Sequence, residues 1–408
     1  MAQDETSPVS NVMRAASERS SWIRQMFEEG NRLKRIHGAD QVFDFSLGNP
    51  SVPPPTRFRE VLVEVASASQ AADHRYMTNV GLEETRAWVA KRAAEAQGVP
   101  NYGPEHVVMT CGAAGGLNIL FRSLLDPGDE VILLSPFFPE YVFYIENQGG
   151  TIVTVPTDAD FQPDLAAIEA AITPRTRAII VNSPNNPTGV VYDAQRIRDL
   201  GAMVDRIADA RPEPLFLIAD EPYRRLVYTA APQGSVPASC RHGILVTSFS
   251  KDLGLAGERI GYVLLHPDYE HSPKLFSALA IATRTLGFVN APAFVQRVLP
   301  KCGDLSVDIG QYRHNRDLIA NGLRDAGYSM PSPDGAFYLF PAVPGGDDVD
   351  FCRRLRERRV LTVPGRGFGT PGHIRISYAV PTHVIEAALP LFAETLASAQ
   401  MESGQDGA

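Results

Sequence analysis

Lys251 sets the chemical problem. Residues 247–262, T-S-F-S-K-D-L-G-L-A-G-E-R-I-G-Y, put this lysine just after an apolar run, 244–249. A second apolar run, 260–265, follows, with Arg259 immediately before it. An isolated ammonium at the mouth of a buried strand is costly. The placement makes sense if the amine is a nucleophile, because lysine amines capture carbonyl groups as imines. A lone S-x-S-K proves little, so the rest of the chain must supply partners.

Several other apolar runs end in a polar signature. Residues 215–219 are followed by Asp220-Glu221-Pro222-Tyr223. A carboxylate placed first after a buried run needs a cation, and a protonated pyridine nitrogen would serve; a helix cap or an internal ion pair would serve as well. The loop N-S-P-N-N-P-T-G, 182–189, carries Asn186, whose amide can read a phenolic oxygen and a carboxylate together, although Asn, Pro and Gly also make plain turns. In S-P-F-F-P-E-Y, 135–141, prolines stiffen the chain around Phe138 and can hold its ring as a stacking platform, or the ring is core. C-G-A-A-G-G, 111–116, opens a helix with small residues, which suits an anion at the helix N-terminus or a tight turn without a ligand. Arg375 lies inside the apolar stretch H-I-R-I-S-Y-A, 373–379, where a buried guanidinium wants a bidentate carboxylate, from a ligand or from the protein itself.

These residues need a scaffold. Strands are predicted at 106–110, 130–134, 151–155, 178–181, 215–219, 244–247 and 260–265, with helical patterns such as 115–125 and 194–207 between most of them. Apolar, β-rich runs of this kind suit a largely parallel sheet covered on both faces. The last two strands are joined by too short a segment for a helical crossover, so one runs antiparallel. In such a sheet ligands bind beyond the carboxyl ends of the strands, where the polar signatures fall. Ahead of the sheet, helices are predicted at 20–36, 58–72 and 82–97, with a loop 74–81 carrying Tyr76. After it come helices at 277–298 and 307–326, then strands near 336–340, 360–363 and 373–379 with helices 348–359 and 382–396. Residues 1–10 and the tail from Ala399 read as disordered or frayed.

Composition narrows the class. The chain has 408 residues, room for two domains. It is 44% apolar and 21% charged, as an ordinary globular protein is. A net charge of −9 argues against a nucleic-acid surface. Cys111, Cys240, Cys302 and Cys352 are scattered without pairing, which suits free thiols in a reducing cytoplasm. The nine histidines form no metal-binding spacing. No apolar run reaches a membrane span, and the polar N-terminus is unlike a signal peptide.

Taken together and in order, N-N-P-T-G (185–189), D-E-P-Y (220–223), S-F-S-K (248–251) and the downstream Arg375 resemble the class I/II aminotransferases of the fold-type-I pyridoxal-phosphate superfamily. The resemblance runs from about Trp22 to Leu396. S-W-I-R-Q-M-F and F-S-L-G-N-P are similar to a bacterial aspartate-aminotransferase-like subgroup. It implies an α/β architecture in three parts: an arm, 1–50, packing on the small domain; a large cofactor-binding domain, 51–295, with a mostly parallel seven-stranded sheet between helices; and a smaller α+β domain, 296–408.

The resemblance also assigns roles. Lys251 matches the lysine that binds pyridoxal 5′-phosphate as an imine and later shuttles a proton between Cα and C4′. Asp220 matches the partner of the pyridine nitrogen; Asn186 and Tyr223 match the groups on the ring's 3′ oxygen; Phe138 matches the aromatic stacked on the ring. Ala113, Ala114, Ser248 and Arg259 match the phosphate cup. Tyr76 matches a tyrosine that reaches the neighbouring subunit's phosphate, implying a homodimer with shared sites. Arg375, with Gly48 and Asn186, matches the α-carboxylate clamp. The implied reaction is ping-pong transfer of an amino group from an L-amino acid to a 2-oxo acid, with aspartate or a similar amino acid as donor. Arg284, in A-T-R-T-L-G-F, lies near the region from which relatives read a distal carboxylate, and equally suits a surface or interface arginine. The same cofactor site also serves lyases, decarboxylases and oxidases. A cofactor-sensing DNA-binding regulator would need an additional basic segment, and the acidic chain speaks against it.

Overall fold

The computed structural model describes residues 8–18 and 22–405. The predicted disorder of 1–7 and the predicted helix start at Ser20 lie outside the described residues. A short helix, Asn11–Glu18, was not anticipated. The next helix, Trp22–His37, leads into strand β1, Phe43–Asp44. Helices Thr56–Ala68 and Glu83–Gln97 follow, the second ending at Gly98 in the left-handed conformation that closes helices.

Seven strands then build the main sheet: β2 (Val107–Thr110), β3 (Glu130–Ser135), β4 (Thr151–Pro156), β5 (Thr176–Asn182), β6 (Phe216–Asp220), β7 (Gly243–Ser248) and β8 (Gly261–Leu265). Their order is β2-β8-β7-β6-β5-β3-β4. All pairs are parallel except those of β8, which runs antiparallel to both β2 and β7. The short connection 249–260 has room only for a return, as its length required.

The strands alternate cleanly between two cores. Ile132, Ile179, Leu217 and Leu245 face the side covered by Val61, Val89 and Leu200 of helices Thr56–Ala68, Glu83–Gln97 and Ala194–Asp209. Leu133, Ile180, Ile218 and Val246 face the other side, against helices Gly112–Leu124, Glu140–Glu146 and Ser272–Thr285. Successive strand side chains point to opposite faces, so a strand covered on both sides must be apolar throughout. Because β8 alone is reversed, the carboxyl ends of β2, β3, β5, β6 and β7 share one edge with the start of β8.

A third core surrounds two small sheets. β9 (Tyr338–Leu339), β12 (Ile374–Ser377) and β11 (Val363–Pro364) form one; β1 pairs in parallel with β10 (Val360–Leu361) in the other. Helices Gly310–Asp325, Asp348–Glu357 and Thr382–Gln405 cover them. Phe45, Phe337, Phe351 and Phe392 fill this core, and Val52, Tyr223 and Leu226 join it from the main-sheet side. Trp22, Ile23 and Met26 pack against Phe340, Val363 and Phe368.

Two expectations need correction. The predicted helix 277–298 is two helices, Ser272–Thr285 and Ala293–Val298. Gly287 and Val289 take positive φ of 86° and 63°, and Pro292 starts the second helix, so the backbone between them is not helical. The tail from Ala399 does not end the final helix, which runs on to Gln405.

Candidate active site

A cavity of about 260 Å³ lies at the carboxyl edge of the main sheet, between it and the third core. Gly48, Ala113, Ala114, Phe138, Asn186, Asp220, Tyr223, Ser248, Lys251, Arg259 and Arg375, all singled out from sequence, line it.

Asp220 closes β6 and is buried. Its Oδ2 accepts a hydrogen bond from the buried Tyr141 hydroxyl. Its Oδ1 is buried with no partner among the described residues. Burial raises this carboxyl to about 7; the Tyr141 hydrogen bond opposes the rise and nearby Glu221 adds to it. An acceptor held this way asks for a cationic donor from a ligand.

Lys251 stands across the cavity. Its Nζ donates to the Gly48 carbonyl at 2.7 Å and lies 5.3 Å from the Phe337 ring centre. Burial, then the charges of Arg375 and Arg259, lower its amine to about 8, which makes the neutral, nucleophilic form a larger minority near neutrality than for an ordinary lysine. Gly48 must be glycine to leave room for Tyr338, because a Cβ there would fall 1.8 Å from the Tyr338 hydroxyl.

The β5 exit is braced by its own amides. Asn182 donates to the Asp220 carbonyl at 2.8 Å and accepts from the Asn186 N–H at 2.8 Å. Asn185 accepts from both the N–H and the hydroxyl of Thr188. The Asn186 side-chain oxygen is thereby set to accept from Arg375 at 3.0 Å. Arg375, 1% exposed, is sandwiched between the Tyr338 and Phe368 rings at 4.7 and 4.9 Å and donates also to the Ser46 carbonyl. Its Nε is buried without a partner among the described residues. Aromatic faces on both sides hold the guanidinium plane while leaving its charge for a carboxylate.

The anion cup is backbone-built. Gly112, at φ 71°, begins the helix carrying Ala113 and Ala114. A Cβ on Gly112 would meet Arg259 Nη2 at 2.8 Å, so the missing side chain is the space that Arg259 fills. Arg259 itself takes φ 54° and donates to the Ala256 carbonyl at 3.0 Å. A helix N-terminus, a serine and an arginine around one space suit a phosphate.

Tyr76 and Arg284 are not brought to the cavity: Tyr76 is 91% exposed and Arg284 is exposed at the end of helix Ser272–Thr285. Conversely Ile23, Asn182, Tyr141, Tyr144 and Tyr338 line the cavity without having been picked out from sequence as site residues. Tyr223 donates to or accepts from Tyr338 across 2.9 Å, hydroxyl to hydroxyl. The one available signal was that a tyrosine three residues after Phe138 needs a buried partner for its hydroxyl.

The comparisons with known proteins agree with this geometry. The family described as Aminotransferase class I and II matches residues 40–390, so the chain belongs to that family. The chain is 33% identical over 87% of its length to an aspartate aminotransferase of Thermotoga maritima, of which it covers 91%. It is 31% identical to the aspartate/prephenate aminotransferase of Thermus thermophilus, over 90% of this chain and 93% of that one. Among solved structures, an amino transferase from Eubacterium rectale superposes with a TM-score of 0.91 at 38% identity, covering 95% of this chain and 98% of that one. The protein is thus an aminotransferase that depends on pyridoxal phosphate. The residues present fit that cofactor: Asp220 Oδ1 lacks a partner where a protonated ring nitrogen needs one, and the cup beside Gly112 offers N–H groups and a cation.

Proposed function

We propose that the protein moves the α-amino group of an L-amino acid to a 2-oxo acid in two half-reactions, with aspartate or a similar amino acid as donor. The observation that carries this reading is the facing of Lys251 and the partnerless Asp220 Oδ1 in one cavity walled by Arg375. When bound, pyridoxal phosphate supplies an electron sink for the charge left when Cα loses a proton. Asp220 would hold the proton of the ring nitrogen, Asn186 and Tyr223 would donate to the ring oxygen, and Phe138 would pack on the ring. Ala113, Ala114, Ser248 and Arg259 hold the phosphate. Lys251 is the amine that would hold the cofactor covalently and would carry the proton between Cα and C4′. Arg375, aided by Asn186 and Gly48, holds the α-carboxylate.

Four finer readings belong to this proposal. The site is shared in a homodimer: the loop bearing Tyr76 is tied to the one after Arg284, because Asn79 donates to the Val289 carbonyl at 2.6 Å, so both face outward together. Tyr76 then reaches the second subunit's phosphate and Arg284 its substrate's distal carboxylate. The relatives named as aspartate aminotransferases support the donor. The chain divides into an arm, a large and a small domain; the division predicted at 295/296 falls inside helix Ala293–Val298, whose Val298 packs with the main-sheet core, so the linker 303–307 suits the boundary better. The enzyme works in the cytoplasm, consistent with four unpaired cysteines; among the described residues no helix is long and apolar enough to cross a membrane.

The test is spectroscopic. Adding L-aspartate without a 2-oxo acid shifts the visible band of the holoenzyme, and 2-oxoglutarate restores it. Lys251→Ala abolishes borohydride fixation of the cofactor to the chain. Ammonia release without a restorable band turns the reading to a lyase or oxidase, and a fully active monomer at assay concentration overturns the shared site. Arg284→Ala raises KM for aspartate and leaves KM for alanine unchanged if Arg284 reads the distal carboxylate.

A further inference from the structure

Behind the active site lies a second polar cavity of about 250 Å³. Pro222 and Ser248 line both. Chain alternation divides the neighbours: Asp220 and Lys251 line the first cavity, Glu221 and Asp252 the second. Charged and titratable groups face Asp252 from every side: Arg92 of helix Glu83–Gln97, Glu221, Arg224 and Arg225 after β6, and Tyr262 of β8.

Asp252 is gripped twice. Its Oδ2 pairs with Arg92 Nη2 at 2.9 Å, and its backbone carbonyl accepts from the Val307 N–H at 2.7 Å. Arg92 Nη2 also donates to the Leu305 carbonyl at 3.3 Å, which Arg225 Nη1 reaches at 3.2 Å. Arg92 Nε and Arg225 Nη2 approach Asp304 at 3.5 and 2.6 Å. The segment 303–307, leading into the helix Gly310–Asp325 of the third core, is thus tied to the residue directly after Lys251. The tie is half-made: Arg92 Nη1 and Asp252 Oδ1 are both buried with no partner among the described residues. One more hydrogen bond between them would make the pair bidentate and satisfy both atoms.

We propose that Asp252 is a positioning residue for Lys251, held by Arg92, and that this pair couples the lysine's backbone to the linker 303–307. The proposal rests on the reading of Lys251 as the cofactor lysine. Glu221, by contrast, is already met by Gln97 at 2.7 Å and by Arg224, and has no such link to the linker.

The experiment is hydrogen exchange on Asp252→Asn, which is isosteric, and Arg92→Lys, which keeps the charge and loses the fork, with and without pyridoxal phosphate. Exchange is expected to rise together in 250–254 and 304–307 in both variants. In the holoenzyme, kcat of the first half-reaction is expected to fall by about 10- to 100-fold, the range that a small misplacement of a reacting group gives, with KM and cofactor content unchanged. The double variant is expected to be no slower than the slower single one, because the residues act as a unit. A rise in exchange confined to 304–307, additive losses, or a lowered Tm with kcat within about twofold of the parent, inside which no misplacement is read, overturns the proposal. Failure of the Lys251 reading shows separately, in Lys251→Ala that still fixes cofactor; exchange without cofactor does not depend on it.

Discussion

The two cavities that share the wall of Pro222 and Ser248 are built from the same kinds of residue and differ in what is left unmet. In the front cavity Asp220 keeps an acceptor with no protein partner, and Arg375 is held by rings and single acceptors, so both have valence to spend on a ligand. In the rear cavity Glu221 is met by Gln97 and Arg224, and Asp252 by Arg92 at Oδ2, its Oδ1 having no partner among the described residues. Burial raises all three carboxyls, Asp220 to about 7 and Asp252 to about 6. Neither a perturbed carboxyl nor an unmatched acceptor therefore distinguishes a site from a brace, since Asp252 Oδ1 is unmatched too; the missing cation does, because Asp220 meets only a hydroxyl whereas Glu221 and Asp252 each meet an arginine.

Substitutions across that wall sharpen the contrast. Asp220→Asn removes the charge that holds the ring proton and should cut turnover by on the order of 10²- to 10³-fold, as expected for about 3–5 kcal/mol of broken buried charge pairing; turnover within tenfold of the parent would erase the distinction. Arg375→Lys keeps the charge and loses the fork, and KM for the amino acid should rise roughly 10- to 100-fold with kcat less affected, given ~1.5–3 kcal/mol for a charge-assisted hydrogen bond.

Tyr141→Phe should cost about tenfold, the lower end of what one hydrogen bond to a charged group gives. Its signature is the pH profile. The Tyr141 hydrogen bond lowers the Asp220 carboxyl, so its loss raises it further. Activity requires the carboxylate and falls as pH drops through its pKa; the acid limb therefore moves to higher pH in the variant. An unmoved limb would detach Tyr141 from the chemistry. Smallest is Glu221→Gln in the rear cavity: stability should fall by about 1 kcal/mol as one hydrogen-bonded network is rearranged, and kcat should stay within about twofold, an effect below one such bond. A loss of cofactor in that variant would make the rear wall part of the site.

How much of this was legible follows from what each residue does. The seven strands showed because a sheet covered on both faces needs unbroken apolar runs; Asp220 showed as the first charge beyond one run, and Asn186 and Lys251 in the polar segments just after two others, whereas Ser248 was placed by resemblance. Arg375 showed as a charge inside an apolar strand. Tyr338 and Tyr141 did not, because an aromatic in an apolar stretch reads as packing whether or not its hydroxyl meets a catalytic group. Gly48 was placed by resemblance, yet its contribution, a carbonyl to Lys251, is carried by backbone that no residue type reports. The broken helix at 286–292 was hidden by apolar periodicity continuing through a turn that Gly287 and Pro292 punctuate. Tyr76 and Arg284 enter only through the proposed second subunit, which periodicity within one chain does not encode.

The reversed strand β8 has a consequence for assembly in time. β2 is an edge strand whose one neighbour is β8, and Val107 pairs with Leu264, over 150 residues further along the chain. The phosphate cup spans this late junction, with Gly112 on one bank and Arg259 on the other. Long-range pairings of this kind close late, since chain entropy opposes them until the rest is in place. If the cofactor's phosphate sits in this cup as proposed, it finds its seat only on a chain whose last edge has zipped, and by favouring that state alone it withdraws finished molecules from the pool that can still reopen.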